Sequence, residues 1–309
     1  MLKIILEKTK GPINAPNIPM YIRLKNYLRQ VTQTALGTRP AGHGVSVFPN
    51  DIFLVGYFRS GTTWSRFLMG NFVHADQAVN FENIGDLVPS IYEHADRKLR
   101  ARPRLIKSHE SFDPRYPRVV HFVRDPRDVA VSLYYYCLKV RAIPDGFPKD
   151  DFVDMFLTSR TGSAADQVGS WEDHTLSWYR LRQGRETYRL VRYEDLLAHP
   201  ERELTKIAPL LGIDPTPERI ERAIRLSSAD RMRSLEKTQS KVWITTKDSR
   251  QDIPFVRQAK SGNWRTSLPE ASVRKIEQAW GPTIEELGYE LSTATANEAI
   301  VSSPNPVTR

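Results

Sequence analysis

Short apolar runs alternate with amphipathic stretches through the middle of the chain. "DIFLVG", at 51–56, is an apolar run that ends at a glycine, and it predicts a buried strand. Three further runs predict strands, at 104–109, 118–126 and 188–196. Apolar residues recur at helical spacing between the runs and predict helices, at 127–139, 152–158, 174–183 and 201–211. Strands that alternate with helices indicate an α/β domain with a mainly parallel sheet.

The two ends of the chain differ from this central domain, which we expect to span residues 51–291. Residues 1–50 carry seven Lys/Arg and one Glu, and their segment 21–36 has the spacing of an amphipathic helix. We favour a helix that packs on the domain. The alternative is a weak peripheral contact of residues 1–50 with an acidic membrane surface. Residues 292–309 are small, polar and Pro-containing, which predicts a disordered tail.

Composition narrows the classes of partner. The 309 residues carry a formal charge of +9, which favours an anionic partner. Nucleic acid ranks low, because nothing resembles a zinc finger, an RNA-binding aromatic signature or a concentrated basic tail. Cys137 is the only cysteine, so neither an intrachain disulfide nor a Cys-based zinc site can form. No apolar run is long enough to span a membrane, and signal-peptide features are missing, so we expect a cytoplasmic protein.

The first candidate site is the glycine loop "GYFRSGTTW", at 56–64, between the first strand and a helical pattern. Glycine lets the backbone approach an anion, and consecutive N–H groups at a helix N-terminus bind one. A kinase would carry a lysine after the second glycine, but here threonines follow and Arg59 is the only cation in the loop. The loop therefore predicts a phosphate site unsuited to a triphosphate, or else a strand-to-helix turn without a ligand. The N–H donors would come from Ser60, Gly61, Thr62 and Thr63.

A second candidate site follows another predicted strand, in "RDPRDVAVS" at 124–132. Asp125 has the position of a helix cap, and Ser132 lies about two helical turns beyond Arg124. Arg124 and Ser132 could both face one anion; the alternative is an arginine paired with Asp125 or Asp128 that binds nothing. Ligands of open α/β sheets bind at the carboxyl ends of strands. A nucleotide with phosphates at its 5′ and 3′ positions would span both loops.

Five motifs in order resemble the sulfotransferases that use 3′-phosphoadenosine 5′-phosphosulfate (PAPS), and most closely their soluble, cytosolic-type branch. They are "YFRSGTTW", "LIKSHES", "HFVRDPRDVAVSLYYY", "GSWEDHTLSWYRLR" with "LVRYEDL", and "VRQAKSGNWRTSLPE". The resemblance covers about residues 51–291. It implies a P-loop-like α/β fold with a central, mainly parallel sheet. It also implies transfer of a sulfuryl group from PAPS to a hydroxyl or amine of a small-molecule acceptor, with 3′-phosphoadenosine 5′-phosphate (PAP) as product.

The resemblance implies a role for each matching residue. The 5′ phosphosulfate group would bind Arg59, Ser60, Gly61, Thr62 and Thr63. The 3′-phosphate would bind Arg124 and Ser132, with help from Arg257. The adenine would contact Trp64 and Tyr193, and the reacting centre would hold Lys107 and His109.

Three departures from the family pattern bear on these roles. Phe58-Arg59 replaces the usual Pro-Lys of the loop. Ser227 and Ala229 stand where a threonine and an aromatic residue normally flank the base. Gln258-Ala259 replaces a Lys-Gly pair, and we expect Lys260 to compensate.

The chemistry assigns the general base to His109, whose ordinary pKa of about 6.5 lies close to working pH. Lys107, two residues earlier on a strand, would face the same side and stabilise the leaving group with Arg59. Glu110 is the alternative base. No metal is expected, because the transferred group carries less charge than a γ-phosphate. Weaker acceptor-pocket candidates are Phe81, Tyr134, Tyr135, Tyr136, Phe147, His174 and Trp243.

Two other classes of function remain open from the sequence. A P-loop kinase or NTPase is disfavoured by the missing loop lysine. A catalytically silent PAP-binding or membrane-associated module would keep the phosphate sites without turnover.

Overall fold

Four parallel strands form one sheet in the computed structural model, which describes residues 46–92, 103–243 and 245–292. The strands are β1 (Ile52–Gly56), β2 (Leu105–Ser108), β3 (Arg118–Val123) and β4 (Tyr188–Arg192). Their order across the sheet is β2-β1-β3-β4. Ile52 at the start of β1 pairs with Leu105 on one side and Arg118 on the other, so the three strands begin level. The predicted α/β class with a parallel sheet is confirmed.

Helices follow or separate the strands. The described helices are α1 (Thr62–Val73), α2 (Ile84–Leu87), α3 (Pro126–Lys139), α4 (Lys149–Leu157), α5 (Trp171–Arg182), α6 (Tyr193–Ala198), α7 (Pro200–Leu211), α8 (Pro217–Leu226), α9 (Ala229–Gln239), α10 (Trp264–Ser267) and α11 (Glu270–Glu286), with a 3-10 helix at Ala164–Val168. The four helices predicted at 127–139, 152–158, 174–183 and 201–211 are present within a few residues of their expected bounds.

Helices cover both faces of the sheet. Successive strand residues point to opposite faces, so neighbouring residues of β1 belong to different buried clusters. Ile52 and Leu54 of β1 belong to one buried cluster, which includes residues of α1, α7 and α8. Phe53 and Val55 belong to another, which includes Trp178 of α5. A third cluster joins α3, α4 and α11 beside the sheet. A sheet buried on both faces explains why its strands are near-continuous apolar runs.

Two predicted strands were too long. β3 ends at Val123, and Asp125 then caps α3 by accepting a hydrogen bond from the backbone N–H of Arg127. β4 ends at Arg192, and residues 193–196, predicted as the end of this strand, belong to the helix α6. Asp195 in its first turn pairs with Arg192 at 2.7 Å, and an acidic residue there favours a helix start.

Several expectations fall outside the described residues. The amphipathic helix at 21–36 lies there, as does nearly all of the tail at 292–309. The domain limits at 51 and 291 therefore remain predictions. Among the residues that the structure covers, none of the helices is both long and apolar enough to cross a membrane.

The carboxyl ends of all four strands lie at one edge of the sheet, since the strands are parallel. The glycine loop follows β1, His109 follows β2, Arg124 follows β3 and Tyr193 follows β4. Four separate segments of sequence are thereby brought to a common location.

Candidate active site

The glycine loop turns sharply between β1 and α1. Gly61 has a φ of 84°, and a Cβ there would lie 2.5 Å from Cδ2 of Tyr193. A Cβ on Gly56 would lie 2.7 Å from the carbonyl oxygen of Phe122. Close packing therefore requires both glycines, and the left-handed backbone at Gly61 is a second reason for glycine there. Within the described part of the chain, no side chain caps the N-terminus of α1, which leaves its first N–H groups available to a ligand.

Arg59 extends from this loop to the second candidate site. Its Nε donates to Oγ of Ser132 at 3.1 Å. Its guanidinium also lies 4.5 Å from the ring centre of Phe255 and 5.1 Å from that of Tyr136. Burial lowers the pKa of Arg59 to about 10, so the side chain keeps its charge at neutral pH.

Arg124 joins the second site to two other segments. Its Nη2 donates to the carbonyl oxygen of Lys260 at 3.0 Å, and its guanidinium lies 4.3 Å from the ring centre of Tyr193. Asp128 lies 3.7 Å from Nη2 of Arg124, but the Asp128 carboxylate also accepts from the backbone N–H groups of Gly262 and Trp264. Asp128 thus attaches the C-terminal segment to α3 rather than only pairing with the arginine.

The side expected to hold the adenine is built from α1, α6 and the turn before α9. The rings of Trp64 and Tyr193 meet edge to face, with centres 5.4 Å apart. Nε1 of Trp64 donates to the carbonyl oxygen of Ser227 at 3.0 Å. Oγ of Ser227 accepts from Asn71, so this serine hydroxyl is engaged within the protein.

Residues 255–260 run along the cavity and are held by α9. The carboxylate of Glu236 accepts from the backbone N–H groups of Phe255 and Val256, at 2.5 and 2.9 Å. The guanidinium of Arg233 donates to the carbonyl oxygen of Arg257 at 2.9 Å. The Arg257 side chain itself lies over the Tyr135 ring, 3.6 Å from its centre. We call the pair Arg233 and Glu236 the α9 clamp.

His109 has a defined neutral tautomer. Its Nδ1 lies 2.6 Å from the carbonyl oxygen of Gly56, and because a carbonyl can only accept, Nδ1 carries the proton. Nε2 is then the basic nitrogen. The ring is 3% exposed and stacks on Phe58, with centres 4.0 Å apart and planes at 22°. Burial, followed by the charge of Lys107, holds the pKa of His109 well below its usual value.

Glu110, the alternative base, has different surroundings. Its Oε1 accepts from the hydroxyl of Tyr92 at 3.0 Å, and its backbone carbonyl accepts from Nε1 of Trp178. Glu110 does not line the cavity, whereas Lys107 and His109 both do. The geometry therefore favours His109 for base chemistry.

These segments enclose a cavity of about 340 Å³. Its lining includes all the residues expected to bind the donor or to catalyse except Ser60: Arg59, Gly61, Thr62, Thr63, Trp64, Lys107, His109, Arg124, Ser132, Tyr193, Ser227, Arg257 and Lys260. Among the described lining residues, five side chains are Lys or Arg and one, Asp128, is acidic. Such a cavity attracts anions.

Two buried polar atoms fit an anionic ligand. Oγ of Ser60 and Nε of Arg124 have no hydrogen-bond partner among the described residues. Arg124 lines the cavity, and Ser60 lies in the glycine loop next to Arg59 and Gly61, which line it. A buried donor without a partner is costly, so its presence at a cationic cavity is typical of a binding site.

Only some of the candidate acceptor-pocket residues line the cavity. Trp243 and Tyr136 line the cavity. Tyr134 packs in the core with its hydroxyl on the carbonyl oxygen of Phe147, and Phe81 packs against Phe67. His174 is fully buried, 5.7 Å from Tyr57 between ring centres, and does not line the cavity.

Sequence reasoning also missed cavity residues. Phe58 was noted only as a departure from the family pattern, and Phe255 and Val256 were not singled out although all three line the cavity. The α9 clamp that holds two of them was missed as well. Its partners are separated by about 20 residues and share no motif.

A sequence model of the sulfotransferase domain matches residues 49–288 of the chain. The chain belongs to the sulfotransferase family. Sulfotransferase 1E1 of Bos taurus is 27% identical over 281 residues, which cover 84% of this chain and 88% of that protein. Sulfotransferase 1A1 of Rattus norvegicus is 24% identical over 264 residues, which cover 79% and 88%.

Solved structures share the fold. The crystal structure of mouse sulfotransferase SULT7A1 complexed with PAP superposes with a TM-score of 0.60 at 23% identity, over 78% of this sulfotransferase and 86% of that chain. The structure of retinol dehydratase in a complex with retinol and PAP gives 0.61 at 20% identity, over 84% and 87%. The predicted P-loop-like α/β fold and the predicted class, a PAPS-dependent sulfotransferase, are confirmed. The kinase or NTPase hypothesis is set aside.

Proposed function

We propose that this sulfotransferase moves the sulfuryl group of PAPS, in line, to a hydroxyl or amine of a small-molecule acceptor, with His109 as the general base. The observation that carries the proposal is convergence on one cavity. The glycine loop, the Arg124–Ser132 pair and the His109 ring all line it, although they follow three different strands.

The donor would span the two anion sites. The N–H groups at the start of α1, with Ser60, Gly61, Thr62 and Thr63, would bind the 5′ phosphosulfate group. Arg124 and Ser132 would bind the 3′-phosphate with Arg257 and Lys260, since arginine forks suit phosphate oxygens. Trp64 and Tyr193 would contact the adenine, with Ser227 behind them. The two buried donors without partners support an anion at both sites.

The proton transfer follows from the His109 tautomer. Nε2 would take the proton of the acceptor as its oxygen or nitrogen forms a bond to sulfur. The bond between sulfur and the bridging oxygen of the donor breaks, and PAP leaves with that electron pair. The lowered pKa of His109 keeps Nε2 unprotonated, and so able to act as a base, at neutral pH.

Two cations would stabilise the leaving group. Arg59 and Lys107 line the same cavity as His109 and can offset negative charge that grows on the bridging oxygen. No metal is required in this scheme, because these side chains supply the positive charge.

The acceptor would occupy the apolar part of the cavity. Phe58, Trp243, Phe255 and Val256 line it, which suits a small molecule with an apolar body and one nucleophilic group. The named relatives and PAP-bound structural neighbours support this class of partner.

Binding of PAP against adenosine 5′-phosphate, by calorimetry, tests the donor assignment. We expect PAP to bind about 10- to 100-fold more tightly, since the 3′-phosphate adds charge-assisted hydrogen bonds. Arg124→Met should remove most of that difference and leave adenosine 5′-phosphate binding nearly unchanged. Arg115→Met, at an exposed arginine paired with Asp113, is the matched control. Equal affinity for both nucleotides, or tighter binding of ATP–Mg²⁺ than of PAP, would contradict the assignment.

A further inference from the structure

The Phe58 ring stacks on the flat face of the His109 ring. The two ring centres are 4.0 Å apart with planes at 22°, which is a stacked arrangement in direct contact. Phe58 is half-buried, and both rings line the same cavity. An aromatic ring in this position can both orient the imidazole and keep water from it.

The backbone explains how the loop serves two sites at once. Arg59 has a φ of 67°, in the left-handed region that non-glycine residues seldom adopt. The Phe58 side chain contacts His109, while the next side chain, Arg59, reaches Ser132. Consecutive residues of one loop therefore contact the base and the second anion site.

Contacts of two kinds restrain the His109 ring. The hydrogen bond from Nδ1 to the carbonyl oxygen of Gly56, at 2.6 Å, sets the tautomer and the in-plane direction of the ring. It does not prevent the ring from tilting about that bond. Stacking supplies the second restraint. The Tyr92 ring is parallel to the imidazole but 6.1 Å away between centres, whereas Phe58, at 4.0 Å, is in direct contact, and a tilted imidazole would meet the Phe58 face.

We propose that Phe58 is a positioning residue for the sulfuryl-transfer reaction, which holds the His109 ring in its catalytic orientation and keeps it desolvated. This inference rests on the proposed role of His109 as the base. It assigns a role to a side chain that is neither a donor ligand nor a catalytic group.

The charged and titratable groups around His109 come from four segments. Lys107 precedes it on β2, Arg66 faces it from α1 and His174 from α5. The hydroxyl of Tyr92 accepts from its backbone N–H at 3.1 Å. Burial disfavours the charged imidazole most, and Lys107, His174 and Arg66 disfavour it further. Substitution of Phe58 alters none of these four groups, so a change in His109 titration would report the loss of shielding.

Phe58→Ala opens the stack and admits water, which should raise the pKa of His109 towards its ordinary value. We expect the acid limb of kcat/KM to move to higher pH by about one unit and kcat to fall about 10- to 100-fold. PAP affinity should stay within about threefold of the parent protein. Phe58→Tyr keeps the stacked ring and should restore both the pH profile and kcat.

The His109 pKa is read directly by NMR titration of protein labelled at histidine, assigned with His109→Ala. Phe147→Ala is the matched control, since Phe147 is half-buried near the same core cluster but does not line the cavity. If Phe58→Ala does not fold, Phe58→Leu keeps apolar bulk without a flat face and should still lower kcat about tenfold.

An unchanged His109 pKa and kcat in Phe58→Ala, or a Phe58→Tyr protein as impaired as Phe58→Ala, would overturn the proposal. Failure of the proposed base role is a separate result. It would appear as full transfer activity in His109→Ala, while the NMR titration would still report whether Phe58 shields the ring.

Discussion

Arg59 lies between the two predicted anion sites and contacts the second through Ser132. The resemblance to cytosolic-type sulfotransferases implies a lysine at this position, so the question is what arginine changes. A guanidinium stays charged when buried more readily than an ammonium, and it stacks on aromatic rings. The flanking Phe255 and Tyr136 rings provide those stacking surfaces.

Removal of the Arg59 charge should mainly slow the chemical step. We predict that Arg59→Met lowers kcat by about 10²- to 10³-fold, the typical cost of one electrostatic contact to the leaving group or oxyanion. Arg59→Lys should stay within about tenfold of the parent protein. Steady-state kinetics with PAPS measure kcat, and calorimetry with PAP checks that donor affinity changes less. Parent-like kcat in Arg59→Met would show that Arg59 does not act on the leaving group.

The α9 clamp is the main feature at the scale of elements. Arg233 and Glu236 lie one helical turn apart and bind carbonyl and N–H groups of the same strip of backbone. In that strip, the Phe255 ring contacts the Arg59 guanidinium, and Arg257 lines the cavity. One helix turn therefore holds the backbone that presents Phe255 to Arg59 and Arg257 to the cavity.

Loss of the clamp should weaken donor binding without unfolding the protein. We predict that Glu236→Ala raises the Kd for PAP about 10- to 100-fold, because two backbone N–H groups lose a charged acceptor. Ser234→Ala, at an exposed position of the same helix, is the control and should bind PAP as the parent protein does. Calorimetry measures both affinities. An unchanged PAP affinity in Glu236→Ala would show that residues 255–258 are held by other contacts.

Sequence patterns predicted the elements better than their ends. The apolar runs located all four strands. No glycine or proline interrupts "YEDLL" to mark the end of β4, and the acidic pair Glu194-Asp195 is the one sequence feature there that favours a helix start. His174 lies three residues after Trp171 and four before Trp178, so helical spacing could have indicated its burial.

In the candidate site, too, some residues could be predicted from the sequence and others could not. Residues adjacent to strand ends could be predicted, since a parallel sheet brings those ends together. Contacts between distant segments could not be predicted in this way. Phe255 lies 196 residues after Arg59, and no local pattern links the two.

At the scale of the whole molecule, the core contains neutral histidines. His121 and His174 are fully buried, with ring centres 6.1 Å apart, and Nδ1 of His121 shares a 2.8 Å hydrogen bond with the Tyr188 hydroxyl. Burial lowers the pKa of His174 to about 4 and that of His121 well below its usual value. The unfolded chain therefore binds more protons than the folded protein below pH 6.5.

The free energy of unfolding should consequently fall as pH drops from about 6.5 towards 4. Each such histidine contributes a loss of about 1.4 kcal/mol per pH unit in this window. We predict that His121→Phe loses less stability between pH 7 and pH 5 than the parent protein. Tyr188→Phe breaks the same hydrogen bond but keeps the titrating ring, so its pH dependence should match the parent. Urea unfolding at both pH values measures this, and equal pH dependence in all three proteins would contradict it.

Sulfate transfer from ³⁵S-labelled PAPS to a panel of phenols, alcohols and amines tests the central claim most directly. The parent protein and His109→Ala are compared after calorimetry has shown that both bind PAP with the same affinity. The account predicts a labelled acceptor with the parent protein and a rate about 10²- to 10⁴-fold lower with His109→Ala. PAP binding without transfer to any acceptor would instead support a catalytically silent module. Full transfer by His109→Ala would contradict the assignment of the base.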